Sequence, residues 1–489
     1  MGNFAADIEL RFIQKEMKRI FITLSAVLVV LLSCRAQHTV LTLDSCRALA
    51  LSNNKELRMA DENVRAAYYE RKAAFTKYFP RVNAMGTYMY TSKEFSLLSD
   101  EQKESLNHLG TAVSAMAPQL ESMAGTFDGI GQGLVDALHT DTRNMGAVAV
   151  MLTQPLYMGG QIRAYNNITK YAEEIAQNKR DLSSQEVIVE VDEAYWRIVS
   201  LQAKKELAES FLALTEKLNS DVVQLKSEGF ATTADELSVR VKVNEARTAL
   251  IQVNNGLKIS QMLLCQICGL DMNTPITIAD NKESVCQSAD SLPQQPATND
   301  AVAQAWRQRL ELRSLEKAED IANEKVRLTR AGYLPNLALT GGYMASNPSV
   351  FNSFERQMKG MWNVGVVLNS PIVPSGERLF KLKSAKAHAT AASLQLEETR
   401  EKVQLQVNQC KQKLEEAAER MQTAERSSEE ADENLRYADL GMKEGVIPVS
   451  NVLEAQTAWL AAHCEKVSAN VDMRLAKLYL DKAIGVIKY

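Results

Sequence analysis

The hydrophobic positions along this 489-residue chain alternate between a helical and a strand-like period, in the same order twice. Apolar residues recur every three to four positions over long segments, which predicts helices. The first predicted helix covers 41–77, with Asp44 as its candidate cap. Four short segments change to a period of two, with apolar and polar side chains on opposite faces, which predicts β-strands. These strands are residues 81–91, 144–154, 336–345 and 361–369. Each has roughly the length that a tilted transmembrane strand needs, about ten residues.

Two helical segments are unusually long and end at glycines. One runs from Gln161 to Ser227 without glycine or proline, and the other continues to Lys443. Charges recur throughout both, so neither suits the membrane interior. We expect them to pack laterally as a coiled-coil-like wall. Short breaks at 228–234 and 444–450 then lead into further helices, so the pattern predicts two helical hairpins with equivalent tips.

Three pairs of equivalent residues test whether the chain is an internal duplication: Pro80 and Pro335, Pro155 and Pro371, and Gly229 and Gly445. The first pair is 255 residues apart and the other two are each 216 apart, so the first copy carries 39 extra residues between its strands. The sequence therefore predicts a first repeat at 37–268, an inter-repeat linker at 269–298 and a second repeat at 299–489.

The extra residues lie in the connection 92–143, which we expect to be an outer loop; its counterpart, 346–360, is short. A helix start is predicted at Ser99, followed by a loose segment from Gly125 to Gly133. The glycines there resemble a nucleotide-binding loop only superficially, because no buried strand precedes them.

The N-terminus has the pattern of an export signal. After Met17, the positive charges of Lys18 and Arg19 precede an apolar run from Ile20 to Leu32 and then small residues. This pattern predicts an upstream segment and signal peptide within 1–36. A retained anchor is the alternative. Cys34 lies in a sequence that resembles a lipoprotein box. We favour cleavage after Ala36. The first predicted helix is about 50 Å long and leads to the first strand, whereas the tether from Cys34 to that helix spans at most about 30 Å, so an acyl chain on Cys34 would not reach the membrane around the strands.

Composition and side-chain chemistry give no sign of catalysis. The net charge of −4 offers no basic patch for nucleic acid. The five histidines are scattered, and no catalytic, cofactor or metal-ligand set stands out. Cys265 and Cys268 have redox or metal-ligand spacing, but without a βαβ context or a second pair we favour packed small residues. The sequence predicts neither an enzyme nor a cofactor.

Four strands cannot close a barrel, and an open sheet in lipid leaves edge groups unsatisfied. Three copies would supply twelve strands, enough to enclose a channel. The sequence therefore predicts an α+β membrane protein with a shared trimeric 12-stranded transmembrane barrel, four strands per chain, continued by helices. A β-layer on a soluble helical protein is the alternative.

The chain resembles the TolC family of outer-membrane factors over nearly all of residues 41–487. The shared features are Tyr333-Leu334-Pro335 before a strand, Gln154-Pro155-Leu156 with two glycines before a long helix, and Gly-x5-Asp/Asn-x-Leu at each tip. The resemblance implies a homotrimer in the outer-membrane lipid, with an α-helical coiled-coil tunnel across the periplasm. It also implies a periplasmic adaptor (membrane fusion) protein and an inner-membrane pump, of the RND or ABC type, as partners.

The resemblance also implies roles for the residues at the tips. Positions that match the family's periplasmic gate are Asp235, Asn451 and Glu454, although Asn451 departs from the more usual aspartate. Asp235 and Glu454 are alternatively a helix-start cap and a solvated helix residue. Candidates for adaptor contact are Gly229, Phe230, Gly445, Val446 and Ile447.

The function expected from this resemblance is passive conduction of substrates in a tripartite efflux or type I secretion system. The alternative is a structural or adhesive helical envelope protein without a channel.

Overall fold

The computed structural model describes residues 39–92, 98–138, 143–280, 298–349, 351, 356–372 and 376–487. The predicted signal peptide with Cys34, and linker residues 281–297, lie outside these ranges. The chain divides into two compact units. Unit 1 comprises Met1–Arg65, Glu174–Glu316 and Gln395–Tyr489, and unit 2 comprises Ala66–Glu173 and Lys317–Leu394. Each unit takes residues from both predicted repeats, so the compact units differ from the sequential repeats.

Helices dominate the described chain. In order they are α1 (Leu43–Asn53), α2 (Lys55–Phe75), α3 (Asp100–Asn107), α4 (Leu109–Met116), α5 (Ala124–Leu138), α6 (Gln161–Ser227), α7 (Thr233–Ile267), α8 (Thr298–Gln308), α9 (Leu310–Ala331), α10 (Glu377–Lys443) and α11 (Val449–Ile484). Short 3-10 helices occur at Thr76–Tyr78 and Pro118–Met123. Among the residues described, none of the helices combines the length and the apolar character needed to cross a membrane.

The strands are β1 (Thr39–Leu41), β2 (Arg81–Tyr90), β3 (Asn144–Met158), β4 (Ile276–Ile278), β5 (Asn336–Asn347) and β6 (Lys359–Asn369). Four of them form an antiparallel sheet in unit 2, in the order β2-β3-β5-β6. The sheet confirms that each half contributes two paired strands. Among the described residues, β2 and β6 are its edges.

β3 is longer than predicted and passes through Pro155. The pairing of β2 with β3 ends at Arg81 opposite Thr153, whereas β3 continues against β5 as far as Met158. Beyond Thr153 the strand has one neighbour among the described residues. A proline is tolerated where one side of a strand is unpaired, and the register shifts just after Pro155. The predicted end at residue 154 was therefore wrong.

Large apolar side chains share one face of the edge strand β6, as the alternation predicts. Four of them alternate along the strand and are exposed: Trp362, Val364, Val366 and Leu368. Every residue of β2 is also exposed in the single chain, including the aromatic Tyr88 and Tyr90. This sheet therefore leaves much of its apolar surface uncovered within one copy.

The connection between β2 and β3 is a small helical layer. Ser99 caps α3 in a capping box with Gln102, as the predicted helix start requires. The segment from Gly125 to Gly133, predicted to be loose, lies within α5 instead. A β-carbon at Gly131 would lie 1.7 Å from the carbonyl oxygen of Leu106, so glycine lets α5 approach α3 closely.

The segment that follows β1 corrects a further prediction. The segment 41–77 forms two helices rather than one, because Asn54 adopts an extended conformation between α1 and α2. The cap of α1 is Thr42, not Asp44: the Thr42 hydroxyl accepts from the backbone N–H of Ser45. Parallel pairing of β1 with β4 ties this end of the chain to the predicted linker.

The buried positions of α10 follow a heptad pattern. From Val403 onward they are spaced alternately four and three residues apart, with the partly buried Cys410 and Leu435 completing the series: Val403, Val407, Leu414, Ala417, Met421, Ala424, Ser428, Ala431, Ala438 and Met442. An average period of 3.5 residues is the seam of a left-handed coiled coil. Ion pairs to α11 flank the seam, with Arg420 2.6 Å from Glu465. The predicted coiled-coil packing is confirmed.

Candidate functional site

The turn of the first hairpin, tip 1 (residues 228–234), is built on a left-handed glycine. Gly229 has a φ of 85°, which side chains rarely tolerate. Its N–H donates to the carbonyl of Lys226, and that of Phe230 donates to Leu225 at 2.8 Å. These two bonds satisfy the last carbonyls of α6 in a Schellman-type ending. Phe230 is left 81% exposed beyond the turn.

Asp235 closes a capping box at the start of α7. Its Oδ2 accepts from the Thr232 hydroxyl at 2.6 Å and from the Thr232 N–H at 2.9 Å. In return, the Asp235 N–H donates to Thr232 Oγ1 at 3.1 Å. These bonds from the Thr232 side chain and backbone lower the pKa of the Asp235 carboxyl. In the single chain, Asp235 thus stabilises its own helix start.

The neighbouring Glu236 was not among the predicted site residues. Its carboxylate lies 2.7 Å from the ammonium of Lys226 and 3.7 Å from the guanidinium of Arg240. The hydrogen bond from Lys226 lowers the pKa of Glu236. The sequence signal was a lysine and a glutamate on either side of a glycine turn, close enough to meet across it.

The turn of the second hairpin, tip 2 (residues 444–450), again uses a left-handed glycine, Gly445, with a φ of 72°. The N–H groups of Val446 and Ile447 both donate to the carbonyl of Gly441, at 2.8 and 3.1 Å. A β-carbon at Gly441 would lie 2.5 Å from Ile447 Cδ1, so Ile447 packs on the bare face of α10. Val446 is 79% exposed, whereas Ile447 is half-buried.

Asn451 and Glu454 lie one turn apart on the exposed face of α11. Pro448 occupies the cap position, and no side chain completes the cap. The opposite face, with Val452 and Leu453, is buried. Within the described residues the Glu454 carboxylate has no hydrogen-bond or ion-pair partner, while Asn451 Oδ1 accepts a long 3.4 Å bond from Ser450.

One apolar cluster in unit 1 brings the two hairpins together near their tips. It contains Leu218, Val222 and Val239 from the first hairpin and, from the second, Ala438, Met442, Val449, Val452, Leu453 and Ala455. In the described chain, no hydrogen bond or ion pair joins Asp235 to Asn451 or Glu454. Both tips therefore share one packed end, with Glu454 free for solvent, ions or another chain.

Metal-ion chemistry finds no support in the part of the chain that the structure describes, because no group of three or more His, Cys, Asp or Glu residues could hold an ion there.

The class of protein now follows from the architecture. A duplicated chain combines four antiparallel strands of membrane-crossing length with two helical hairpins packed at their tips, which is the design of an outer-membrane channel-tunnel. The chain belongs to the outer membrane efflux protein family, whose sequence profile matches residues 47–270 and 301–486.

Individual proteins agree with this assignment. The outer membrane protein TolC of Vibrio cholerae is 22% identical over 376 residues, which cover 76% of this chain and 83% of that protein. The crystal structure of CusC has a TM-score of 0.72 at 16% identity, covering 91% of this chain and 92% of that one. VceC, also from Vibrio cholerae, has a TM-score of 0.69 at 14% identity, covering 91% and 96%. The solved structures share the fold.

Family membership confirms the predicted function, an outer-membrane channel of an efflux system. The chain is an outer-membrane channel-tunnel that extends into the periplasm and serves tripartite efflux. The family is one of transport proteins. The alternative of an envelope protein without a channel is not favoured.

Proposed function

We propose that three copies of this chain close a 12-stranded transmembrane barrel, with β2 of each copy pairing with β6 of the next. The observation that carries this proposal is the four-stranded antiparallel sheet with two edges, β2 and β6. In lipid, each unsatisfied backbone group costs several kcal/mol. Closure by identical copies pairs both edges at once and gives an interior wide enough for a water-filled passage.

The exposed side chains of the sheet suit contact with a membrane. Trp362, Val364, Val366 and Leu368 on β6 would face the acyl chains. Aromatic residues with polar tips, such as Tyr88 and Tyr90, suit the interfacial zone. The outer-membrane lipid is thus a partner of the assembled trimer.

The helical hairpins would form the periplasmic tunnel, and their tips would meet the adaptor protein. Phe230 and Val446 are apolar, project from turns and are about four-fifths exposed. Exposed apolar anchors at the centre of a polar surface are typical of protein–protein contacts. We assign them to the adaptor contact, with the glycines shaping each turn and Ile447 supporting tip 2. An inner-membrane RND or ABC pump would load the passive conduit, without catalysis or a cofactor in this chain.

Three-fold symmetry would repeat the free carboxylate of Glu454 around the tunnel, giving an acidic ring that favours cations. Asn451 contributes no charge beside it. Asp235 contributes a carboxylate that is already bonded to Thr232. The gate field would therefore come mainly from Glu454.

The helical layer α3–α5 lies in the connection between β2 and β3, the enlarged one of the two. If the barrel is oriented with the hairpins in the periplasm, this layer lies outside the cell. We assign it to the mouth of the channel, where its removal should raise conductance.

The experiment is to purify the mature protein from outer membranes and measure its assembly and conductance. We expect an SDS-resistant, heat-modifiable trimer that forms discrete channels in planar bilayers. Glu454→Gln should lower the block of current by divalent cations. Glu444→Gln, which removes an exposed charge on the turn itself, is the matched control.

Monomers without channel activity would contradict the barrel. Trimeric channels whose divalent block is equal in wild type and Glu454→Gln would retain the barrel and refute the gate assignment.

A further inference from the structure

Three buried thiols gather at one corner of unit 1. Cys46 lies in α1, Cys265 in the last turn of α7, and Cys268 directly after α7. They are 0%, 1% and 0% exposed and belong to one hydrophobic cluster. Two other described cysteines, Cys410 and Cys464, are only partly buried and lie elsewhere on α10 and α11.

The contacts distinguish which thiols are partners. Cys268 Sγ donates to the carbonyl oxygen of Cys46 at 3.6 Å. The Cys265 thiol is directed elsewhere, to the carbonyl of Thr274 at 3.8 Å. The cysteines of the C-x-x-C motif therefore point to different neighbours, and the pair in contact joins residues 222 positions apart in sequence.

The backbone approaches closely at the same corner. A β-carbon at Gly269 would lie 2.7 Å from Asn53 Cβ, so only glycine fits there without a shift. The Asn54 amide donates to the carbonyl of Ile267 at 3.2 Å. β1 and β4 extend this contact by pairing in parallel. These contacts join the end of α1 to the end of α7, and Cys268 Sγ itself reaches the Cys46 backbone. A disulfide requires backbones close enough for the two sulfur atoms to meet.

We propose that Cys46 and Cys268 form a structural disulfide when the exported chain folds. An outer-membrane protein folds beyond the inner membrane, in a compartment where disulfides form and persist. Both thiols are fully buried in the final fold, so oxidation would take place before or while the corner closes.

The chemistry is a thiol–disulfide exchange with an envelope oxidase that carries a reactive disulfide. One cysteine thiolate attacks that disulfide, forms a mixed disulfide and releases one oxidase thiol. The second cysteine thiolate then attacks the protein sulfur of the mixed disulfide, forms the Cys46–Cys268 bond and releases the other oxidase thiol. Two electrons and two protons pass to the oxidase.

The bond would fasten α1 to the end of α7 and the β4 region. Closing so long a loop reduces the freedom of the unfolded chain, which stabilises the fold. The proposal depends on export and on the packing of unit 1, and not on conduction or on the barrel.

The test uses the full protein purified from outer membranes. It is denatured without reductant, treated with N-ethylmaleimide, digested and analysed by mass spectrometry. We expect one linked species joining the peptides of Cys46 and Cys268, lighter by two hydrogens than the separate peptides, with Cys265 alkylated. Complete alkylation of both Cys46 and Cys268, or linkage of Cys265 to Cys268, would overturn the proposal.

Variants give a second readout. On a non-reducing denaturing gel, the closed loop should make wild type migrate faster than the reduced protein. Cys46→Ser and Cys268→Ser should each abolish this shift, whereas the matched pair Cys410→Ser and Cys464→Ser should keep it. Should the first two variants fail to accumulate, wild-type protein from cells lacking the envelope oxidase must lose the linked peptide. Its persistence there would also refute the mechanism.

Discussion

The two hairpin tips have the same backbone turn, but the large apolar side chain lies at a different position in each. Each uses a left-handed glycine, Gly229 or Gly445. In tip 1 the helix before the turn carries the large Leu225 and the turn carries the small Ala231. At the equivalent positions, 216 residues later, tip 2 has the small Gly441 and the large Ile447. The volume has moved from the helix to the turn, so the duplication preserves the packed volume rather than the residues.

The helix starts after the turns differ as well. Tip 1 uses the Thr232–Asp235 capping box, whereas tip 2 uses Pro448, whose ring fixes φ and needs no side-chain cap. The position equivalent to Asp235 is Asn451, and Glu454 corresponds to Ser238. The carboxylates near the two tips therefore differ in role. That of Asp235 caps its own helix, whereas that of Glu454 has no partner among the described residues.

The largest expected effect comes from disturbing the packing of tip 2. Gly441→Leu would drive its side chain into Ile447, which a β-carbon already approaches to 2.5 Å. Overpacking of this kind costs about 1–3 kcal/mol. We expect denaturant unfolding of the detergent-solubilised protein to show that loss. The double variant Gly441→Leu/Ile447→Ala copies the arrangement of tip 1 and should recover most of it. Equal losses in the single and double variants would show that the volume exchange is irrelevant.

A smaller loss is expected from the cap of tip 1. Thr232→Ala removes the hydroxyl that accepts from the Asp235 N–H and donates to its carboxylate. Loss of such a cap costs about 1 kcal/mol. Denaturant unfolding at neutral pH should show that loss of stability. Pro448→Ala at tip 2 removes no side-chain hydrogen bond, so the pH dependence of its stability should differ from that of Thr232→Ala.

The pH dependence follows from the lowered pKa of Asp235. A carboxyl whose pKa is depressed by folding stabilises the protein above its unfolded pKa, ordinarily 3.8. That contribution is lost as the pH falls below this value through the folded pKa. The deficit of Thr232→Ala relative to wild type should therefore shrink between neutral pH and pH values below 3.8. A deficit that stays constant over this range would show that Asp235 is not the bonded partner.

Much of this fold follows from local patterns. The strand pairs, the turns at Gly229 and Gly445 and the heptad seam of α10 are each specified by residues close in sequence, so periodicity predicts them. The Thr232–Asp235 box was also readable from its spacing, although Asp235 was predicted as a gate residue without naming its partner.

The predictions fail where residues distant in sequence determine the local structure. Pro155 stays within β3 because its neighbour β2 has already ended. Gly131 lies within a helix, where it leaves room for the carbonyl oxygen of Leu106 in α3. Whether Asn451 and Glu454 face a tunnel depends on other copies of the chain, which no local pattern contains.

The smallest expected effect sharpens the difference between the two tips. Asn451→Asp would add a carboxylate one turn before Glu454, on the same exposed face of α11. A unit charge about 16 Å from a conducted divalent cation contributes about 0.5 kcal/mol in water, roughly a twofold change in occupancy. We therefore expect about twofold stronger block by divalent cations in bilayers at low ionic strength, where screening is weak. Ser450→Asp, the adjacent exposed position, is the control and should change the block less. Equal block in wild type and Asn451→Asp would mean that this face of α11 does not line the conducting path, whatever the role of the tip in docking.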